Sequence, residues 1–482
     1  MSVRTCPAPD LKKVTEGKKP SPPVVAEGAP LPTPRLAGGL NLPTSELSQT
    51  LLSRSRWWTR LACSPSHDGR ALVIYKGPQI AIDQKDPTVA LGTAPVDLIE
   101  IRRGGRTVVV PVELAGGNRE VRWSTESRYV SLFAKVEGRM RLIAFDTEEM
   151  AGTPAPIVLW TPPHENEVLF AQEWMPGGEG LSVLTRFYEG SEGFCAIYDV
   201  PFAKGKPGDS RQVLRMRGHL DWEAMPVSRF EDGDGPSKEP WKRFYGTYDG
   251  LWISDRFGTE RKRVAGIAAR TLANIDWNPQ PDKLQGALFY PRTVNSTTGD
   301  VFKGLHFVEL LPDGEVRRMH LYEQGDIHTL WYSPKGTYIA WATPEAVYIV
   351  SSADPTQLLE IGPPTPEAAR KARRTTRQRP GQGYLQPPGI SGCYWKRDES
   401  QLLFTANDRV YVYVLATGDV YEVARVQTRN PGFVADPRWL DDEQTIVFTY
   451  FEDVGYERLL VRNRPMFEIP LKDGCETLKK PR

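Results

Sequence analysis

The 482-residue sequence contains none of the short motifs that identify the common enzyme classes. It has no Gly-x-Ser-x-Gly nucleophile elbow, no His-Glu-x-x-His zinc helix, no Walker loop and no Gly-x-Gly-x-x-Gly turn. Each of these motifs places a nucleophile, a metal ion or a phosphate group on one kind of turn. The sequence therefore predicts no catalytic residue and no cofactor.

Cysteine is scarce, and neither sign of charge is in excess. The five cysteines are an odd number and form no Cys-x-x-Cys pair, which argues against a disulfide framework. The 61 basic residues balance 60 acidic ones, for a formal net charge of +1. Such a balance argues against a general polyanion-binding surface, so nucleic acid is not an expected partner.

Long hydrophobic runs are also missing. No stretch approaches the roughly 20 apolar residues that a membrane-spanning helix needs, and residues 1–23 contain no apolar core of a signal peptide. As written, the sequence predicts a cytoplasmic protein without a transmembrane segment. The alternative is the periplasm or cell envelope, if the true start lies upstream of Met1.

What the sequence does contain is a recurring phrase, aromatic-x-Pro-x-Gly, followed by a short apolar run. Its clearest copies are residues 332–336 (Tyr-Ser-Pro-Lys-Gly) and residues 174–177 (Trp-Met-Pro-Gly). Internal similarity at a fixed period indicates an array of supersecondary units, here of about 54 residues each. Eight anchor positions follow from it: Cys63, Trp123, Trp174, Ala224, Trp277, Tyr332, Trp395 and Trp439.

Each repeat has room for four short strands. In the second repeat, β-branched and aromatic runs predict strands at residues 120–123, 129–134, 141–145 and 157–160. Proline ends the ladder of the first strand, and glycine accepts the positive φ of the turn that follows. We therefore expect an all-β protein, a β-propeller of eight four-stranded blades. Seven blades is the alternative, because the fourth copy keeps only Met225-Pro226 of the phrase.

These phrases resemble the WSPDG-type repeats of TolB-like, WD-repeat-like propellers over residues 56–472. The resemblance implies a protein-binding or substrate-gating role. The whole chain then divides into a disordered Pro-rich tail at 1–45, a short helix at 46–58, the propeller at 59–472 and a C-terminal tail at 473–482. The helix is predicted from the spacing of Leu47, Leu51 and Leu52 after Pro43-Thr44.

The residue just before each anchor occupies an equivalent position in every unit. Carboxylates stand there in three neighbouring units, at Glu173, Glu223 and Asp276. Converging carboxylates need a positive partner, so they could hold a divalent cation or a ligand amine in a central channel. Alternatively, each could pair with an Arg, Lys or amide of a neighbouring unit. The remaining units have Ala62, Arg122, Trp331, Tyr394 and Arg438 at this position.

Two features favour a protein partner. The first is a basic run between the sixth and seventh units, which also suits an anionic surface; its charged residues are Arg370, Lys371, Arg373, Arg374, Arg377 and Arg379. The second is the pair Trp57 and Trp58. A solvated loop and a docked helix are the alternative interpretations of these two features.

Three functions remain open. The leading one is a non-enzymatic protein-interaction scaffold in a bacterial cell-envelope or multiprotein assembly. The second is a metal- or small-ligand-binding enzyme that uses the channel carboxylates. The third is a gating propeller for a separately encoded hydrolase.

Overall fold

The structure is a computed structural model. It describes residues 31–36, 49–56, 61–66, 71–76, 80–82, 90–93, 97–103, 106–114, 121–149, 154–175, 178–217, 243–247, 250–255, 261–265, 274–280, 283–295, 301–311, 315–323, 327–362, 389–425, 432–440, 445–452 and 456–462. The regular structure in these ranges is entirely β, as the repeats predicted. None of the described residues belongs to a helix long and apolar enough to cross a membrane.

The strands follow one another as antiparallel meanders, which we number as units 1 to 8 in chain order. Unit 1 contains β3 (Leu61–Pro65), β4 (Ala71–Lys76), β7 (Asp97–Arg103) and β8 (Arg106–Leu114), with the hairpin of β5 (Ile80–Ile82) and β6 (Ala90–Thr93) inserted. Unit 2 contains β9 (Arg122–Trp123), β10 (Tyr129–Val136), β11 (Arg139–Asp146) and β12 (Ile157–Trp160). Pairing of β8 with β10 joins units 1 and 2 into one sheet.

The next three units lie in separate sheets. Unit 3 contains β13 (Val168–Trp174), β14 (Gly180–Glu189), β15 (Glu192–Ala203), β16 (Lys206–Pro207) and β17 (Arg211–Arg217). Unit 4 contains β18 (Arg243–Thr247), β19 (Gly250–Ser254) and β20 (Arg261–Ala265). Unit 5 contains β21 (Asn274–Trp277), β22 (Gln285–Asn295), β23 (Val301–Leu310) and β24 (Val316–Tyr322).

The last three units use chain from both ends. Unit 6 contains β25 (Thr329–Tyr332), β26 (Tyr338–Ala342), β27 (Val347–Ser351) and β28 (Leu359–Ile361). Unit 7 contains β29 (Ile390–Trp395), β30 (Gln401–Ala406), β31 (Arg409–Val414) and β32 (Asp419–Arg425), and β1 (Arg35–Leu36) lies parallel to β32. Unit 8 contains β33 (Gly432–Leu440), β34 (Thr445–Glu452) and β35 (Tyr456–Arg462), and its outermost strand is β2 (Gln49–Arg56).

The helix predicted for residues 46–58 is therefore wrong over its described part. Residues 49–56 form a strand whose partner is β35, about 400 residues later in the chain. The pairing of this strand satisfies backbone groups that would otherwise stand at an open sheet edge. The leucine spacing is compatible with either structure, and a distant partner decided between them.

The disordered tail predicted for residues 1–45 is wrong at residues 31–36, which lie against unit 7. The rest of the tail, at residues 1–30 and 37–45, lies outside the described residues, as does the C-terminal tail at 473–482.

The core lies between successive units. Trp174 of unit 3 packs with Tyr129 of unit 2, and its indole Nε1 donates a hydrogen bond to Ser131 Oγ of unit 2 at 3.1 Å. Trp395 of unit 7 stacks on Tyr338 of unit 6, with ring centroids 5.7 Å apart. The anchor aromatics thus fill the space between neighbouring sheets, as burial of their large apolar surface favours.

The recurring phrase forms the turn from the first strand to the second. In unit 6 the Ser333 N–H donates to Tyr338 O at 2.8 Å, while Ser333 Oγ accepts from Tyr338 N at 2.9 Å. Ser124 makes the same two bonds with Tyr129 in unit 2. The serine side chain thus stabilises the turn through a hydrogen bond to the first residue of the second strand.

The same pair of bonds corrects the position of the anchor residue in unit 1. Ser66 makes them with Ala71, which makes Pro65, rather than Cys63, the equivalent of the anchor. The strand register agrees, because Ser64 pairs with Val73 as Arg122 pairs with Ser131. Ser64 therefore takes the place assigned to Ala62.

Candidate functional site

The residues that precede the anchors occupy one register position in successive units. In five units, this residue pairs with the residue of the second strand that lies nine positions later. The pairs are Arg122 with Ser131, Glu173 with Ser182, Trp331 with Ala340, Tyr394 with Leu403, and Arg438 with Val447. Asp276 pairs with Ala287 across a longer turn. These side chains are therefore comparable from unit to unit.

In units 2 and 3 this position holds an ion pair. Arg122 Nε lies 3.4 Å from Glu173 Oε2, and both side chains are partly exposed. The same Nε donates to the carbonyl oxygen of Gln172 at 3.4 Å. Arg122 thus connects its own unit to the first strand of the next one, and Glu173 has a positive partner already.

Between units 5 and 6 the position holds a buried carboxylate. Asp276 is only 3% exposed, and its Oδ2 accepts the backbone N–H of Tyr332 at 2.6 Å. A buried donor without an acceptor is costly, so this bond stabilises the start of the unit 6 turn. Glu173 and Asp276 therefore each have a partner in a neighbouring unit, as expected if these carboxylates join units and do not share a cation.

The third carboxylate, Glu223, lies outside the described residues. Within the part of the chain that the structure describes, no three His, Cys, Asp or Glu side chains come together as a possible metal site. The described geometry of Glu173 and Asp276 serves the contact between units.

Units 6, 7 and 8 present a different surface at this position. The guanidinium carbon of Arg438 lies 3.5 Å from the centre of the Tyr394 ring, and the Trp331 ring lies 6.0 Å from that of Tyr394. All three side chains are partly exposed. We call Trp331, Tyr394 and Arg438 the aromatic–arginine arc. Stacking of a guanidinium on an aromatic face is a favourable cation–π contact.

A hydrogen bond also connects the first strands of units 6 and 7, which carry Trp331 and Tyr394. The Cys393 N–H donates to Thr329 Oγ1 at 3.2 Å, across the boundary between the units. Burial raises the pKa of the Cys393 thiol to about 12, so it stays protonated and unreactive at neutral pH. Cys393 and Cys195 are both buried thiols.

The predicted partner-binding residues lie outside the described residues. The basic ones fall between β28 and β29, the strand that carries Tyr394, and they are Arg370, Lys371, Arg373, Arg374, Arg377 and Arg379. Trp57 and Trp58 directly follow β2.

The structure adds a contact that the sequence did not predict, the docking of residues 31–36 on unit 7. A two-residue strand is too short for any alternating pattern. The only signal was composition: Leu31-Pro32-Thr33-Pro34-Arg35-Leu36 is apolar at both ends, unlike the Lys- and Glu-containing chain before it.

Comparison with known proteins identified no matching family model and no matching curated protein. Solved structures with a similar course of the chain include an oligogalacturonate lyase in complex with manganese, at 14% identity and a TM-score of 0.44, covering 91% of this chain and 97% of that one. The Dos1 propeller is 11% identical with a TM-score of 0.48, covering 86% and 93%. The β-propeller domain of the trilobed protease from Pyrococcus furiosus is 10% identical with a TM-score of 0.39, covering 86% and 98%. At identities this low, the similarity concerns the course of the backbone and says nothing about the side chains of this protein.

Proposed function

We propose that this protein is a non-enzymatic interaction scaffold, a TolB-like propeller whose eight meander units are blades. Two contacts support a ring of eight: β3 of unit 1 lies against β33 and β35 of unit 8, and β2 completes unit 8 from the N-terminal side. A strand contributed by the opposite end of the chain joins the first and last blades without an open edge.

The observation that carries the binding role is the aromatic–arginine arc. Trp, Tyr and Arg are the residue types that most often dominate the energy of protein interfaces. Here they stand side by side on three consecutive first strands, and the Arg438–Tyr394 stack orients the guanidinium in advance. A side chain that is already ordered loses less conformational entropy on binding.

The basic residues 370–379 extend this proposal. In the sequence they lie between β28 and β29, and β29 carries Tyr394, the central residue of the arc. A partner with an acidic surface beside an apolar patch would suit both, and it would fit a multiprotein assembly such as one in a bacterial cell envelope. Trp57 and Trp58 are proposed as further contacts.

The test is capture of partners by three full-length proteins. One is the wild type, one carries Trp331→Ala, Tyr394→Ala and Arg438→Ala, and the third carries Tyr188→Ala, an exposed aromatic on unit 3. We expect the triple variant to lose proteins that the wild type and the Tyr188→Ala control both retain. Identical captured sets from wild type and triple variant, with equal thermal stability, would overturn the role of the arc.

A further inference from the structure

The outer edge of unit 7 holds an extended peptide, the chain's own residues 31–36. Arg35 is paired with Asp419 and Leu36 with Val420, in parallel register to β32. Addition of a strand to a sheet edge is a common mode of peptide recognition, in which backbone bonds give affinity and side-chain contacts give specificity. Both kinds of contact are present here.

The backbone contacts come from two residues that unit 7 holds in place. The Arg35 N–H donates to Gly418 O at 2.8 Å, and Tyr413 Oη donates to the carbonyl oxygen of Pro32 at 2.9 Å. Tyr413 is fully buried on β31, and burial raises the pKa of its hydroxyl, which therefore remains a donor. The ladder of β31 and β32 holds Tyr413, and the Gly418 N–H donates to Val414 O at 2.9 Å, so unit 7 positions both residues without the peptide.

The floor of this groove requires glycine. Gly418 has a φ of +74°, and a Cβ on it would lie 2.5 Å from Thr33 O and 3.0 Å from Pro32 Cβ. The peptide therefore approaches the hairpin closely at this point. The absence of a side chain is what leaves room for the proline and the residue after it.

Two side chains give the groove its selectivity. Nε and Nη2 of Arg35 donate to the two carboxylate oxygens of Asp419, whose side chain is 14% exposed while that of Arg35 is 70% exposed. A forked guanidinium matches a carboxylate in a way that a lysine ammonium does not. At the other end, Leu31 packs against the core cluster shared by units 6 and 7.

The peptide is held by few contacts, whereas the groove belongs to a complete sheet. Only two residues pair as a strand. The Arg35–Asp419 ion pair is exposed on the arginine side, so it adds little to the free energy that holds the peptide in place. Residues 37–48 separate β1 from β2, so the segment can leave without disturbing unit 8. A short tether still gives it a local concentration on the order of millimolar, which an incoming segment must exceed.

We propose that this edge, formed by Tyr413, Gly418 and Asp419, is a docking groove for a partner's extended segment of the form Leu-Pro-x-Pro-Arg. The chain's own residues 31–36 compete for it. The groove is distinct from the aromatic–arginine arc, and its failure would leave the proposed scaffold role intact.

The experiment measures binding of a fluorescent peptide with the sequence of residues 29–38 by anisotropy. Full-length Arg35→Glu repels Asp419 and releases the chain's own segment, and a second full-length variant replaces residues 31–36 by Gly and Ser. We expect both to bind the peptide at least tenfold more tightly than the wild type. Arg217→Glu is the control, because Arg217 is a similarly exposed arginine, at 73%, in an ion pair on β17.

Two further variants identify the groove. Adding Asp419→Arg to either released protein should abolish peptide binding, and a peptide with glutamate in place of its arginine should bind neither released protein. The proposal is overturned if both released proteins fail to bind while melting like the wild type, or if Asp419→Arg leaves their binding unchanged.

Discussion

Two groups of pre-anchor residues use one register position in different ways. In units 2, 3 and 5 the described side chains join neighbouring units, through the Arg122–Glu173 pair and the bond from Tyr332 N–H to Asp276. In units 6 to 8 the same register position carries the partly exposed aromatic–arginine arc. Because the backbone register is shared, the identity of one residue per unit decides whether neighbouring units are joined by a carboxylate contact or by a partly exposed aromatic–arginine stack.

The largest effect should come from the contact between units 5 and 6. Gly336 has a φ of +73°, and a Cβ on it would lie 2.0 Å from Asn278 Oδ1 of unit 5. Asn278 Nδ2 donates to Gly336 O at 3.1 Å and to Gln285 Oε1 at 2.8 Å, and Gly336→Ala would displace it. We expect a loss of about 3 kcal/mol or more in the free energy of unfolding, measured by urea denaturation.

A second glycine with a similar φ separates the two causes of that loss, which are the backbone conformation and the clash with Asn278. Gly138 has a similar φ of +77°, but a Cβ on it would meet nothing within 4 Å. Gly138→Ala should therefore cost only about 1 kcal/mol, for the backbone conformation alone. Equal losses for the two variants would show that the contact between the units contributes nothing.

Removing the buried carboxylate should be the next largest change. Asp276→Ala leaves the Tyr332 N–H without its acceptor, at a cost of about 2 kcal/mol in the free energy of unfolding. Asp276→Asn keeps an oxygen acceptor and should lose less. A urea midpoint for Asp276→Ala equal to that of the wild type would remove the structural role assigned to this carboxylate.

The pH dependence of stability should report on unit 5 as well. His306 is buried, its Nε2–H donates to Lys303 O at 2.9 Å, and Arg318 and His320 face it from β24. Burial, together with the nearness of these two side chains, lowers the pKa of His306 from 6.5 to about 4. The folded state therefore binds fewer protons than the unfolded state between these values.

Stability should consequently fall as the pH is lowered from 6.5 towards 4, by about 1 to 3 kcal/mol, and this contribution should be flat above pH 6.5. Urea titrations at several pH values measure it, with His306→Gln as the comparison. If His306→Gln retains the full slope of the wild type, another group is responsible.

The smallest effect on stability should come from the exposed ion pair. Glu173→Gln should change the free energy of unfolding by less than about 1 kcal/mol, because water screens partly exposed charges. Tyr394→Ala should be similarly mild for stability yet lose the captured partner, which Glu173→Gln should retain. If Glu173→Gln abolished capture, the distinction between the two groups of pre-anchor residues would be wrong.

Much of the described architecture could be predicted from sequence because its signals are local. The strands of unit 2 lie within about two residues of their predicted bounds at every end. The turn chemistry is local too, since Ser333 bonds to a residue five positions away. In unit 1 the predicted anchor, Cys63, is two residues too early. Ser64-Pro65 resembles the Ser-Pro of the recurring phrase, but Ser66 makes the hydrogen bonds of the turn.

The contacts between units were predictable only as alternatives. The repeat offered Glu173 and Asp276 either a shared cation or an Arg, Lys or amide of a neighbouring unit, without deciding which contact forms. The choice depends on distances between separate sheets, which no local pattern contains. The strand pairing of residues 49–56 and the docking of residues 31–36 depend on partners about 400 residues away.

By itself, then, the sequence determined the repeating strands, the serine turns and the residues that stand before each anchor, because hydrogen bonds and side-chain alternation within a unit act over a few residues. Only the tertiary structure decided which of those residues pair across units and where the N-terminal segments dock. These outcomes depend on burial and on free sheet edges, which exist only once the units have come together.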